Sequence, residues 1–291
     1  MAENFIPYGR QDITDEDINA VIQTLRSEFL TQGPQVPAFE CAIAQTVGAK
    51  YAVAVNSATS ALHVACMALE LGPGDWLWTV PNTFVASANC AIYCGAQVDF
   101  VDIDPATYTM CTSALETKLR AAKDNGRLPK VIVPVHLCGQ SADMNAIAKL
   151  ALVYGVKIIE DASHSIGATH QGGPVGNCKY SDITIFSFHP VKIITTGEGG
   201  MALTNNPELA DRMQRYRCHG ITSDASRMQP RPAKEIWNYQ QIDLGFNYRM
   251  TDIHAALGFC QDPRQAPKPF SSNGCPLLVA QPPICCDDRV L

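Results

Sequence analysis

Between residues 51 and 160 the chain repeats one pattern: a short apolar run, a turn, then an amphipathic stretch of helical period. Residues 51–55, 76–80, 97–101, 131–135 and 156–160 read as strands. The stretch from Asn56-Ser57 through Leu69, and residues 84–93, 113–123 and 142–154, read as the helices between them. Strands alternating with helices are βαβ units, which build a mostly parallel sheet covered on both faces. The fold class is therefore α/β, with a mostly parallel sheet between helices. Upstream, residues 15–27 read as a helix with Thr14 at its N-cap and Asp17 in the capping-box position. A loop at 29–33 and a helix at 36–47 follow. Downstream, residues 182–188 and 200–203 read as two further strands.

In such sheets a ligand lies outside the carboxyl ends of the strands, so the residues after each strand carry the functional information. After the first comes Asn56-Ser57-Ala58-Thr59-Ser60-Ala61 at a helix start. Free N–H groups and the helix dipole favour an anion there, phosphate above all, although a plain N-cap by Ser57 fits the same residues. No Gly-Lys-Ser/Thr follows, so this is not a P-loop. Asp102 and Asp104 could bind a metal, but Pro105 and the turn after it favour a capped loop, and no metal is assigned. His136, at the end of the fourth strand, stands as a site-lining candidate. Asp161 ends the fifth, with His164 three residues on. Asp161 either caps the next turn or faces a protonated pyridine nitrogen.

The last element is Ser187-Phe188-His189-Pro190-Val191-Lys192, running into Thr195-Thr196-Gly197-Glu198-Gly199-Gly200. Pro190 breaks regular structure and the glycines permit tight turns, so Lys192 sits on a turn-rich link between two strands. Alone it reads as a surface lysine beside a hairpin. Joined to an anion-binding helix start and an acid at a strand end, it completes the parts that hold pyridoxal phosphate. The helix start takes the phosphate, Asp161 keeps the ring nitrogen protonated, and Lys192 forms the Schiff base.

Composition narrows the partners. The net charge of −6 argues against nucleic acid or an anionic membrane surface reached by bulk electrostatics. The N-terminus lacks the pattern of a signal peptide and no 18-residue apolar run exists, which implies a cytoplasmic protein. Of the 12 cysteines, Cys41, Cys66, Cys138 and Cys218 sit singly in apolar segments and read as buried free thiols. Cys90 and Cys94 share a helix without a second pair to complete a zinc site.

The motifs Pro7-Tyr8-Gly9, Leu30-Thr31-Gln32-Gly33, Asn56 to Leu62, Thr83-Phe84, Asp161-Ala162-Ser163-His164, Ser187-Phe188-His189 with Lys192, Gly197-Glu198-Gly199-Gly200 and Asn247-Tyr248-Arg249 resemble the DegT/DnrJ/EryC1/StrS sugar-nucleotide aminotransferases. These belong to the fold-type I pyridoxal-phosphate enzymes. The resemblance covers roughly residues 5 to 261. Ser-Phe-His-Pro-Val-Lys and Tyr93-Cys94-Gly95-Ala96 look most like the PseC branch, the UDP-4-amino-4,6-dideoxy-N-acetyl-β-L-altrosamine transaminases of the pseudaminic acid pathway.

The resemblance implies that L-glutamate donates an amino group to C4 of a UDP-linked 4-keto-6-deoxy-N-acetylhexosamine. It implies that Lys192 is the Schiff-base lysine and proton shuttle, that Asp161 pairs with the pyridine nitrogen, and that His164 lies near the ring oxygen. Phe84 would stack on the ring. Ser57, Thr59, Ser60 and Ser187 would surround the phosphate. Asn247 would reach the phosphate of the neighbouring subunit, making the active unit a homodimer. Tyr8, Thr31 and Arg249 would line the sugar-nucleotide pocket. Relatives with histidine in place of the lysine act as dehydratases, and Lys192 points away from them.

The pattern changes at residue 262. Residues 262–291 hold six of the 19 prolines and three of the 12 cysteines, with no helical or strand period. This predicts a pyridoxal-phosphate-binding large domain at 1–261. It also predicts an aberrant, irregular tail at 262–291 in place of the family's small domain, through a frameshift or early truncation. Impaired turnover would follow. The alternative reading is an inactive or regulatory pseudoenzyme that keeps the fold.

Overall fold

The structure, a computed structural model, describes residues 9–230 and 238–261. Its chain runs α1 (Asp15–Leu25), α2 (Gln35–Val47), β1 (Tyr51–Val55), α3 (Ala58–Ala68), β2 (Trp76–Thr79), α4 (Ala86–Tyr93), β3 (Gln97–Phe100), α5 (Thr112–Asp124), β4 (Val131–Ile132), α6 (Met144–Tyr154) and β5 (Lys157–Asp161). After a small hairpin, β6 (Thr169–His170) and β7 (Gly173–Pro174), come β8 (Ile183–Ser187), β9 (Gly200–Thr204) and α7 (Pro207–Arg217). A short ladder, β10 (Ile221–Thr222) with β11 (Gln240–Gln241), precedes α8 (Asp252–Cys260). Among the described residues seven strands form one sheet in the order β1-β9-β8-β5-β4-β2-β3. The pairs from β8 to β3 are parallel, and β9 runs antiparallel to both of its neighbours. The expected mostly parallel α/β sheet is what forms.

Alternation along each strand divides the core between two faces. Val53 and Val55 join α3, α4 and α7 on one face, while Ala52 and Ala54 join α2 on the other. Leu77 faces the first layer, and Trp78 turns to the layer built with α5 and α6. Because β8 and β9 are buried along their whole length, apolar residues occupy both of their faces rather than one.

Long-range polar contacts close the ends. Thr14 and Asp17 form the expected capping box of α1. Helix α2 has no side-chain cap of its own. Instead the fully buried Asp252 carboxylate, from the first turn of α8, accepts from the N–H groups of Gly33 (2.6 Å), Gln35 (2.7 Å) and Val36 (3.2 Å). At the β1 edge, Glu40 accepts from the Ala54 N–H at 2.7 Å and pairs with Arg217, whose guanidinium also donates to the Ala54 carbonyl at 2.7 Å. The ion pair thus occupies backbone groups that an open edge would expose.

Beside that ion pair lies a correction. Cys41 and Cys218, expected as free thiols, are each disulfide-bonded. They adjoin Glu40 and Arg217, whose contact brings α2 against the end of α7. Helix α7 lies where no helix was expected. The calls on residues 262–291 and on Tyr8 fall outside the described residues.

Candidate active site

The carboxyl ends of β1, β5 and β8 and the start of β9 meet on one rim of the sheet. Gly200 pairs with Val55 on one side and Ser187 on the other, so Ser187 stands one strand from the start of α3. A Cβ at Gly200 would come within 2.4 Å of the Ala58 nitrogen, so only glycine lets α3 begin this close to β9. The Ser57 hydroxyl accepts from the Ser60 N–H at 3.1 Å, and the Ser60 hydroxyl donates to Asn56 Oδ1 at 2.7 Å. Helix geometry leaves the N–H groups of Ala58 and Thr59 without intrahelical acceptors. Capping by Ser57 and an anion-accepting helix start therefore coexist.

Asp161 ends β5, 5% exposed. Its Oδ2 accepts from Ser87 of α4 at 2.6 Å, and its Oδ1 accepts from the hydroxyl of Ser163 at 2.6 Å and the Ser163 N–H at 3.2 Å. Both oxygens are held, so the carboxylate is fixed in plane. Lys192 rides a loop whose base is closed by Phe188, which donates to the Gly199 carbonyl (2.9 Å) and accepts from the Thr196 N–H (3.0 Å). The buried Phe188 ring packs on Phe39, centroids 5.0 Å apart. Thr195 is clamped by the Gln261 amide at 3.0 and 3.1 Å. The lysine is thus half-buried on a braced loop, not free on a surface.

The electrostatics join these groups. Burial pushes the Lys192 pKa down, against upward pulls from Asp161 and Cys138. Burial and then Lys192 push the His164 pKa down, against an upward pull from Asp161. His164 Nδ1 accepts from the Cys138 N–H at 3.1 Å, which leaves the proton of the neutral ring on Nε2. Lys192, His164 and Asp161 therefore occupy one site.

The remaining candidates take distinct places. Arg249 bridges Val55, and the Tyr248 carbonyl accepts from the Asn56 N–H at 2.8 Å, so Asn247 and Arg249 lie beside the start of α3. Asn247 is exposed, and its carbonyl accepts from Asn56 Nδ2 at 3.4 Å. Arg249 is half-buried and donates to Cys218 Sγ at 3.4 Å. Thr31 is exposed and pairs with Thr251. Phe84, 74% exposed, stands in the turn before α4. His136 is corrected: it is fully buried, with Nε2 on Glu160 at 3.2 Å and Nδ1 accepting from the Ala142 N–H at 3.1 Å. Its ring braces the back of β5 and does not line the site.

A model of the DegT/DnrJ/EryC1/StrS aminotransferase family matches residues 11–263. The chain belongs to this family. Members similar to it include an uncharacterised protein of Methanocaldococcus jannaschii, 39% identical over 261 residues, covering 90% of this chain and 65% of that protein. A UDP-4-amino-4,6-dideoxy-N-acetyl-β-L-altrosamine transaminase of Campylobacter jejuni is 40% identical over 256 residues, covering 88% of this chain and 64% of that protein. Helicobacter pylori PseC, described as an aminotransferase in pseudaminic acid biosynthesis, superposes with a TM-score of 0.78 at 31% identity, covering 88% of this chain and 64% of its own. The chain thus spans just under two thirds of the length of these curated family members.

Two site residues escaped the sequence reading. Ser87 is a small polar residue in an apolar helix, with no local mark of its partner. Gln261 clamps Thr195, on the loop that carries Lys192, from 66 residues away.

Proposed function

We propose that the chain is a pyridoxal 5′-phosphate-dependent sugar-nucleotide aminotransferase. It transfers the amino group of L-glutamate to C4 of a UDP-linked 4-keto-6-deoxy-N-acetylhexosamine. The observation that carries this reading is the shared site of the Lys192 amine and the Asp161 carboxylate, beside a helix start with spare N–H groups. The names of similar proteins support the substrate class, and a Streptococcus pneumoniae relative has been solved in a pyridoxal-phosphate form.

The residues fit the cofactor. The N–H groups at the start of α3, with Ser57, Thr59, Ser60 and Ser187, suit its phosphate. The buried Asp161, aimed by Ser87 and Ser163, suits a protonated pyridine nitrogen. Phe84 offers a ring face. When bound, the cofactor supplies an electron sink for the carbanion at the reacting carbon.

The chain supplies the rest. Lys192 moves the proton: its lowered pKa leaves more free base near neutral pH, ready to take the Cα proton of the amino donor and return it elsewhere. His164, its pKa held down, stays uncharged and offers a hydrogen bond rather than a second cation. Arg249, Thr31 and Tyr8 contribute to the sugar-nucleotide pocket. A second copy of the chain pairs with the first, and the exposed Asn247 reaches the partner's phosphate site.

Purified protein given cofactor, L-glutamate and a panel of UDP- and dTDP-linked 4-keto sugars tests this by mass spectrometry. A UDP-amino sugar formed together with 2-oxoglutarate is expected. Absence of amino sugar from every member of the panel would refute the reading.

A further inference from the structure

A second layer of polar groups lies behind the site, on the other face of β5. Successive residues of a strand face opposite sides, so Asp161 turns to the site and Glu160 turns to the back. There Glu160 Oε2 lies 3.2 Å from Nε2 of the fully buried His136. Nδ1 of the same ring accepts from the Ala142 N–H at 3.1 Å. A ring that accepts at Nδ1 is neutral and carries its proton on Nε2. His136 Nε2 therefore donates to Glu160, and that bond holds the ring in the tautomer that leaves Nδ1 free to accept.

This ring closes a turn. Beyond the end of β4, the His136 N–H donates to the Asp161 carbonyl at 3.0 Å. The His136 carbonyl accepts from the Gly139 N–H at 3.3 Å and from the Ser165 hydroxyl at 3.4 Å. With Nδ1 on residue 142, one histidine holds both ends of the segment 136–142. Between those ends Cys138 sits in the left-handed region, with φ at 53°. A non-glycine residue stays there only when its surroundings force it to. In that conformation the Cys138 N–H faces the site and donates to His164 Nδ1 at 3.1 Å.

We propose that His136 is a positioning residue for His164. By holding the turn closed through Nδ1 it aims the Cys138 N–H, and so fixes His164 with its proton on Nε2. His164 then presents a donor to an acceptor in the site. If the Cys138 N–H swings away, His164 Nδ1 takes the proton and Nε2 turns a lone pair to the same acceptor. The value of this to the reaction rests on the aminotransferase reading, in which the acceptor is the ring oxygen of the cofactor.

The test is nitrogen NMR of full-length protein labelled in its histidines, without cofactor and above neutral pH, with His164 assigned by the signals lost in His164→Gln. The wild type should show His136 and His164 both protonated on Nε2. Two substitutions remove the ring alike but keep different halves of it. The amide of Asn reaches where Nδ1 stood and still accepts from Ala142, whereas the amide of Gln reaches to Glu160. His136→Asn should leave His164 as in the wild type. His136→Gln should move the tautomer ratio of His164 about fivefold toward Nδ1, the weight of one hydrogen bond. In an absorbance titration His136→Gln should lose several-fold more pyridoxal phosphate affinity than His136→Asn. A wild type with either histidine protonated on Nδ1 would overturn the proposal, and that reading needs no variant to fold. So would equal tautomer shifts in the two variants, a shift in neither, or equal losses of affinity. The tautomers are read without cofactor or substrate, so a chain that binds no pyridoxal phosphate would refute the aminotransferase reading and leave this one to the NMR result.

Discussion

Ser87 donates to Oδ2 of Asp161 across 2.6 Å, and both groups are buried. The contact spans 74 residues and ties the first turn of α4 to the end of β5. Ser87 in turn sits 2.9 Å from the Thr83 hydroxyl, so a short hydroxyl chain runs from the turn near Phe84 to the carboxylate. A hydrogen bond to a charged group is worth roughly 1.5–3 kcal/mol. Ser87→Ala removes it and leaves Asp161 held through Oδ1 alone, by Ser163. The expected outcome is at least a tenfold loss of pyridoxal phosphate affinity in an absorbance titration, with the circular dichroism spectrum unchanged. Unaltered affinity would remove Ser87 from the site.

Gly200 carries a steric demand. A methyl there would meet backbone atoms of Ser57 and Ala58 at 2.4–2.6 Å, and backbone cannot swing aside as a side-chain tip can. Gly200→Ala should displace the start of α3, lower stability by about 1–3 kcal/mol and weaken phosphate binding together with it. A denaturant midpoint equal to that of the wild type would contradict the packing described.

The Glu40–Arg217 pair is mostly shielded, with side-chain exposures of 9% and 18%. Arg217→Met leaves the Glu40 carboxylate shielded beside the sheet edge without its cation. Removing one partner of a buried pair costs roughly 3–5 kcal/mol. Chemical denaturation of Arg217→Met should show a loss near the lower end of that range, since Arg217 keeps some solvent contact. A change within error of zero would show that the pair contributes nothing.

The charges in the active site give signed pH effects. Only the neutral amine of Lys192 attacks an aldehyde, so cofactor capture rises with pH through the Lys192 pKa. Burial lowers that pKa and Asp161 pulls it up. Asp161→Asn should therefore move the rise to lower pH. His164 responds in the opposite sense to its lysine neighbour: Lys192 depresses its pKa, so Lys192→Met should move its titration upward when followed by NMR. Movement in the reverse direction, in either case, would place these groups in separate surroundings.

Much of this was legible in the residues. Strands buried on both faces leave continuous apolar runs, and their alternation with helices dictates a parallel sheet. The rule that ligands gather at strand ends then led to Asn56 to Ala61 and to Asp161, while Lys192 stood out on its proline- and glycine-marked link. It failed at His136, which ends a strand but turns its ring to Glu160. Ser87 and Asp252 were hidden because their partners lie 74 and more than 200 residues away. The fates of Cys41 and Cys218 were hidden for the same reason. Helix α7 did carry a local mark: Asn206 caps it, Pro207 opens it, and Arg215 and Arg217 fill its last turn.

The most direct test is chemical. Apo protein is mixed with pyridoxal 5′-phosphate, reduced with borohydride and digested, and the labelled peptide is sequenced by mass spectrometry. The account expects the label on Lys192, and its loss in Lys192→Met. A label on any other lysine, or none at all, would contradict it.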